Sequence, residues 1–364
     1  MRFPASIVVL PLGYALLMAG CVSSPVPNEP APMPSSKALV IAHRGASALR
    51  PEHTLAAYAK AIEDGADLIE PDLVSTRDGV LVARHENEIS GTTDIAQRPD
   101  FASRKATKTI DGERVTGWFT EDFTLAELKT LRARERLPEL RSTAFDGQYG
   151  IATLDEIIAL AAEGSAKHGR LIGLVPEIKH PTHFASLGLA METKLLATLR
   201  AHPHTLTAPV VIQSFETANL RALRRAIESG SNISLLQLLG GKNDRPYDTV
   251  AAGRPMPYSA MMTADGLREI ATYADAIGPA YRDLDPVHGR SRLVDEAHEA
   301  GLRVIVYTFR PENHFLEGGY RGDGSPTARH DAGSIRQIRA YLALGIDAFF
   351  TDDPALGRRA VDGD

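Results

Sequence analysis

Glu70 and Asp72 flank Pro71 at the end of an apolar run, and in an extended strand residues two apart face the same side. Two carboxylates on one face repel each other unless something positive lies between them, and a hard divalent cation with oxygen ligands suits that place. Acids held in surface ion pairs are the competing reading. Glu177 and Lys179 repeat the spacing after Leu171-Ile172-Gly173-Leu174-Val175, so Glu177 would complete a cage of three carboxylates. Such a cage carries more charge than one divalent ion and can also hold Lys179 and Arg44, which are useful if an anion such as phosphate joins the cluster. His43 opens the triplet His43-Arg44-Gly45 after the first apolar run, and His85 follows Val80-Leu81-Val82-Ala83. Two imidazoles, one to take a proton and one to give it, match phosphoester cleavage near neutral pH.

These residues need a frame that brings distant segments to one rim. Eight short runs rich in apolar and often β-branched residues recur: Leu39–Ala42, Asp67–Val74, Leu171–Ile178, Pro209–Gln213, Ile233–Leu238, Ala274–Gly278, Arg303–Thr308 and Asp347–Thr351. Amphipathic segments lie between most of them, among them Thr54–Glu63, Leu154–Ala162, Met191–Leu199, Leu220–Glu228, Leu293–Ala300 and Ile335–Ala343. The alternation indicates βα units on a parallel sheet, and eight strands favour closure into an α/β (β/α)8 barrel over an open sheet. In that fold functional side chains sit at the carboxyl ends of the strands, where His43, Arg44, Glu70, Asp72, Glu177 and Lys179 fall, with His85 near the same rim. Residues 87 to 150 interrupt the alternation as an insertion after the second strand, and 240 to 262 and 310 to 332 are rich in Gly and Pro. Loops of this length in a compact domain usually carry function.

The N-terminus is a different material. Arg2 precedes an apolar stretch from Ala5 to Ala19, the pattern of an export signal spanning residues 1 to 20, and too short and broken for a membrane span. It ends in Leu17-Met18-Ala19-Gly20-Cys21, which resembles a bacterial lipobox, with Cys21 as the lipidated residue. Residues 22 to 36 are rich in Pro and Ser and read as a tether to a domain covering 37 to 364. Cys21 is the single cysteine, so no internal disulfide can form and the core must hold the domain. A formal charge of −6 and no basic stripe exclude a nucleic-acid footprint.

In order along the chain, HRGASALRPEHT, GADLIEPDLVSTRDGVLVARHE, PEIK, VYTFRPEN and GIDAFFTDDP resemble the glycerophosphodiester phosphodiesterase family, in particular its secreted bacterial branch, over residues 39 to 358. The resemblance implies a (β/α)8 barrel and a divalent cation, Ca²⁺ first and Mg²⁺ as the alternative, on Glu70, Asp72 and Glu177. It implies catalytic histidines at His43 and His85, phosphate-binding cations at Arg44 and Lys179, and Glu52 at or beside the metal. Glu86 departs from the family's usual aspartate. The insertion is expected to cover the mouth and enclose the glycerol end, with Trp118 either facing the glycerol or packing.

Gln213 and Ser214 are candidate substrate contacts, and Tyr307, Phe309, Phe349 and Phe350 candidate pocket walls. The other histidines, from His168 to His330, read as surface or loop residues. The implied reaction is hydrolysis of a glycerophosphodiester such as glycerophosphocholine or glycerophosphoethanolamine, by a protein lipid-anchored to a bacterial membrane and facing the periplasm or exterior. A phospholipase of the same barrel type and a binding lipoprotein are the rival readings.

Overall fold

The computed structural model describes residues 37–284 and 289–363; Cys21, the signal and tether, and His288 lie outside them. Eight parallel strands form a closed barrel: Leu39–His43, Leu68–Glu70, Gly173–Leu174, Val210–Ser214, Ile233–Leu239, Ala276–Pro279, Arg303–Phe309 and Ala348–Thr351. The first pairs with the last, Leu39 opposite Ala348, which closes the cylinder. Helices surround it, including Leu55–Glu63, Leu154–His168, Glu192–Ala201, Ala218–Ala226, Arg292–Glu299 and Asp331–Leu342 at the expected places. Thr54 caps the first, its hydroxyl accepting from Ala57 N at 3.1 Å, and Thr153 and Glu156 form a reciprocal capping box on the second.

Two apolar layers result. Ile41, Leu68, Val175, Val211, Leu236, Ile305 and Phe350 fill the cylinder, while alternate residues such as Val40, Ile69, Leu174, Val210 and Phe349 pack outward against the helices. Tyr307 packs on the inner layer, and Phe309 on the outer.

The second and third runs are not continuous strands. Pro71 and Pro176 have no N–H to donate, and each marks a break. Beyond them Asp72–Ser75 pairs with Glu177–Ile178, Asp72 opposite Glu177, and turns back antiparallel onto Leu81–Ala83. The proline carbonyls still take part: Pro71 O accepts from Glu177 N at 3.0 Å and Pro176 O from Gln213 N at 2.9 Å.

The insertion is more ordered than its weak periodicity suggested. It contains the hairpin Ala106–Ile110 and Glu113–Gly117, turned at Asp111-Gly112 with φ of 48° and 89°, the left-handed geometry that Asp-Gly favours. Phe101, Trp118, Phe119 and Phe123 are buried beneath it. Trp118 packs, its indole N–H donating to Phe101 O at 2.7 Å.

Candidate active site

The inner layer fixes the site by alternation. Two residues beyond Ile41, Leu68, Val175, Val211 and Phe350 stand His43, Glu70, Glu177, Gln213 and Asp352, so side chains continuing the barrel interior emerge at its carboxyl rim. The turn after His43 needs glycine, because Gly45 has φ 87° and a Cβ there would come within 2.6 Å of Ala57 C. Arg44 precedes it, also left-handed at φ 58°.

Glu70, Asp72 and Glu177 each offer a carboxylate oxygen, all within 4.8 Å of one another and all buried. Glu70 accepts from Arg44 N at 2.8 Å and Gln213 Nε2 at 2.9 Å, and Glu177 from Lys179 Nζ at 2.8 Å. Burial, then Asp72 and Glu177, push the Glu70 carboxyl well above the usual range. Burial, against the pull of Lys179, pushes Glu177 up to about 8. Burial would raise Asp72 too, but Lys179 and His53 outweigh it and hold Asp72 well below its ordinary value. Asp72 Oδ1 is buried with no hydrogen-bond partner among the described residues. An orphaned oxygen between two carboxyls that resist ionisation is what a divalent cation would satisfy, so the three residues fit such an ion.

Each rim histidine has a carboxylate on its Nδ1. His43 Nδ1 lies 2.5 Å from Asp352 Oδ1, and His85 Nδ1 is bonded to Glu86. Glu86, where the family usually has aspartate, thus holds the imidazole. Both histidines line a cavity of about 150 Å³ with Arg44, Glu70, Glu177 and Gln213, and Leu238, Tyr307 and Phe350 add apolar wall to it. Burial and then Arg44 lower His43 to about 4, against the pull of Asp352. Burial, Arg44 and Lys179 lower His85 to about 3. Both imidazoles are therefore neutral near pH 7 and able to accept a proton.

Glu52 is not among the three clustered carboxylates. It takes Arg44 Nη1 at 3.0 Å and a two-pronged contact from Arg136 at 2.7 Å on each oxygen. Burial would raise its carboxyl, yet the two guanidiniums hold it well below the usual range. Arg136 also bonds Glu86, at 3.0 and 2.6 Å, so the insertion ties together the acid that holds Arg44 and the acid that holds His85. Arg141 of the insertion meets Asp352 Oδ2 at 2.6 Å and Glu312 at 2.7 Å, and Arg310 meets the same Asp352 oxygen at 2.9 Å.

Sequence reasoning passed over several of these groups. His53 is fully buried, its Nε2 2.9 Å from Asp72 Oδ2 and its Nδ1 2.7 Å from the Tyr58 hydroxyl. It stood in the quoted PEHT box and Asp352 in TDDP, so both were within reach; Arg136 and Arg141 carry no local signal. Of the histidines read as surface or loop residues, His180 lies in a loop 2.6 Å from Asp111 on the hairpin tip, and His183, on the helix Pro181–Ser186, lies 3.1 Å from Glu121. Ser214 is fully buried, its hydroxyl accepting from Glu216 N at 3.1 Å, and is not among the residues lining the cavity.

Residues 43–356 match the Glycerophosphoryl diester phosphodiesterase family. A glycerophosphodiester phosphodiesterase of Arabidopsis thaliana is 32% identical over 366 residues, covering 93% of this chain and 92% of its own length. One from Haemophilus influenzae is 29% identical, covering 84% and 87%. Among solved structures, a Silicibacter pomeroyi protein ascribed to the same family superposes with TM-score 0.61 at 23% identity, over 90% of this chain and 95% of its own. A phosphodiesterase of Oleispira antarctica in complex with the product sn-glycerol-3-phosphate superposes at 0.57 and 20% identity, over 90% and 97%. With the family spanning the barrel from the first rim histidine to the last helix, this chain belongs to the glycerophosphodiester phosphodiesterases, which are phosphoric diester hydrolases.

Proposed function

We propose that this protein hydrolyses glycerophosphodiesters such as glycerophosphocholine and glycerophosphoethanolamine to sn-glycerol 3-phosphate and the free alcohol, with one divalent cation held by Glu70, Asp72 and Glu177. The observation that carries this reading is the cavity in which two carboxylate-oriented imidazoles face Glu70, Glu177 and Arg44, with Asp72 clustered against the two acids and Lys179 bonded to Glu177. When bound, the cation supplies Lewis-acid stabilisation of the charge that grows on phosphate oxygens. Arg44 contributes directional hydrogen bonds to the same oxygens, and Lys179 a point charge.

Of His43 and His85, one takes a proton from the attacking oxygen as it bonds to phosphorus, and the other gives a proton to the alkoxide as the bond to the head-group alcohol breaks. In the resting site Arg44 helps keep both imidazoles neutral, joined by Arg310 at His43 and by Lys179 at His85. A phosphodiester anion seated between those cations offsets their charge and raises the histidine that must carry a proton. Asp352 and Glu86 fix which ring nitrogen faces the substrate.

The N-terminal pattern supports export, lipidation at Cys21 and attachment to a bacterial membrane by a tether, as in a secreted branch of the family. Ca²⁺ is the proposed ion, with Mg²⁺ as the alternative. The decisive experiment strips the metal from the purified protein and restores ions one at a time during a glycerophosphocholine assay. Activity that returns with Ca²⁺ supports the reading; full activity in the stripped protein would overturn it.

A further inference from the structure

Beside the catalytic cavity lies a larger one of about 570 Å³, and Glu177 and Phe215 line both. Its other walls include the insertion hairpin tip, Asp111 and Gly112, loop residues Glu216 and Asp244, and Tyr247 and Tyr258 at the starts of two short helices. Phe215 stands edge-on to Tyr258 and Tyr307, with ring centroids 6.3 and 6.0 Å away, so the boundary between the cavities is aromatic.

The charge of this second cavity is one-sided. Apart from the Glu177–Lys179 pair, it is lined by Asp111, Glu113, Glu216 and Asp244, against Arg245 and a His180 already bonded to Asp111. Glu216 is only 4% exposed, yet its carboxylate has no Lys, Arg or His within ion-pair distance among the described residues. Its partners are the hydroxyl and the backbone N–H of Thr182. Burial, with Asp111 and Asp248 nearby, pushes the Glu216 carboxyl up to about 8. The Asp111 Oδ1 atom is likewise buried and unpartnered. A buried acid without a counter-charge, at the wall of an open cavity, is costly for the protein alone and relieved by a cation from outside.

A phosphodiester has two ester arms. With its phosphate at Arg44 and Lys179, the recess of about 150 Å³ admits the small glycerol arm, and the adjoining cavity, lined by the insertion tip that the sequence led us to expect over the glycerol end, is the route for the other arm. Building on the hydrolysis proposed above, we infer that the larger cavity receives the leaving-group arm and selects a substituted ammonium head group over a neutral alcohol, with Glu216 and Asp111 supplying charge and Phe215 and Tyr258 the aromatic wall. Aromatic rings combined with carboxylates are a recurrent means of recognising such cations.

The test compares kcat/KM of the full chain for glycerophosphocholine and for the 3,3-dimethylbutyl diester of glycerol phosphate, which has the same shape without the charge. At pH 8 the choline ester should be favoured about tenfold, and E216Q or D111N should bring the ratio close to one, with the loss carried by the choline ester's KM. Equal values in the wild type, or a ratio that neither variant moves, would overturn the assignment. Should E216Q melt early, D111N on the hairpin tip decides alone. If the wild type cleaved neither diester, the hydrolytic reading would fall, and the cavity would be judged by calorimetric binding of choline to the wild type and D111N. Binding weakened in D111N would uphold the cation site, and no binding to the wild type would remove it.

Discussion

His43 and Arg141 hold opposite oxygens of Asp352, the imidazole Nδ1 2.5 Å from Oδ1 and the guanidinium Nη2 2.6 Å from Oδ2. One side chain ends the first barrel strand and the other belongs to the insertion, so the orientation of a rim histidine depends on both. Asp352→Asn should lower kcat by roughly 10²- to 10⁴-fold with KM little changed, and Arg141→Met should lower it less. Steady-state kinetics beside a calorimetric Ca²⁺ titration checks this. Normal turnover in Asp352→Asn would make the carboxylate a structural group only.

The three clustered acids predict a different signature. Glu70→Ala or Glu177→Ala should cut activity by orders of magnitude and weaken Ca²⁺ binding together, since each removes a direct oxygen ligand. Unchanged affinity in both variants would place the ion elsewhere.

His43→Ala and His85→Ala should each lower kcat for glycerophosphocholine by roughly 10²- to 10⁴-fold while metal affinity persists. A p-nitrophenyl diester, whose leaving group needs no proton, should lose much less rate in the variant lacking the general acid. Comparing the two substrates therefore assigns the roles. Loss of metal in both variants would show that the histidines are ligands.

Glu135 of the insertion gives a pH-dependent stability effect. Burial pushes its carboxyl from an ordinary 4.5 up to about 7. The folded state therefore binds this proton more tightly than the unfolded one, and the benefit is full below pH 4.5 and lost as pH rises through 7. Glu135→Gln should melt higher than the wild type at pH 8.5, by an amount on the order of 2 kcal/mol, and nearly alongside it at pH 4.5. Equal melting at both values would refute this.

Much of the site could be read from the chain. Alternation along a strand placed Glu70 and Asp72 on one side, and the observed cluster has them there with Glu177. The eight strand segments were visible as apolar runs because barrel strands are buried on both faces. Pro71 pointed to a strand end, but the apolar runs 67–74 and 171–178 hid that pairing resumes beyond Pro71 and Pro176 on separate short segments. Arg136 and Arg141 also escaped, since their partners Glu52, Glu86, Glu312 and Asp352 are brought to them only by the closed fold.

Cys21→Ser should abolish palmitate labelling and release the protein from membranes while the domain stays active, because the tether holds none of the site residues. Fractionation after labelling is the measurement. A variant still in the membrane fraction after signal cleavage would exclude lipid attachment through Cys21.

The two prolines separate what holds the cylinder from what aims the acids. Asp72 and Glu177 sit on short segments beyond Pro71 and Pro176, paired to each other and, through Glu177, to Gln213. Ladder bonds below the prolines close the barrel without either acid. Amide hydrogen exchange should therefore resolve two tiers, with slow amides in Leu39–His43 and Ala348–Thr351 and faster ones in Asp72–Ser75 and Glu177–Ile178. If the tiers separate in this way, Asp72 and Glu177 can shift relative to Glu70 on its barrel strand, to suit a larger or smaller ion, without disturbing the staves of the barrel.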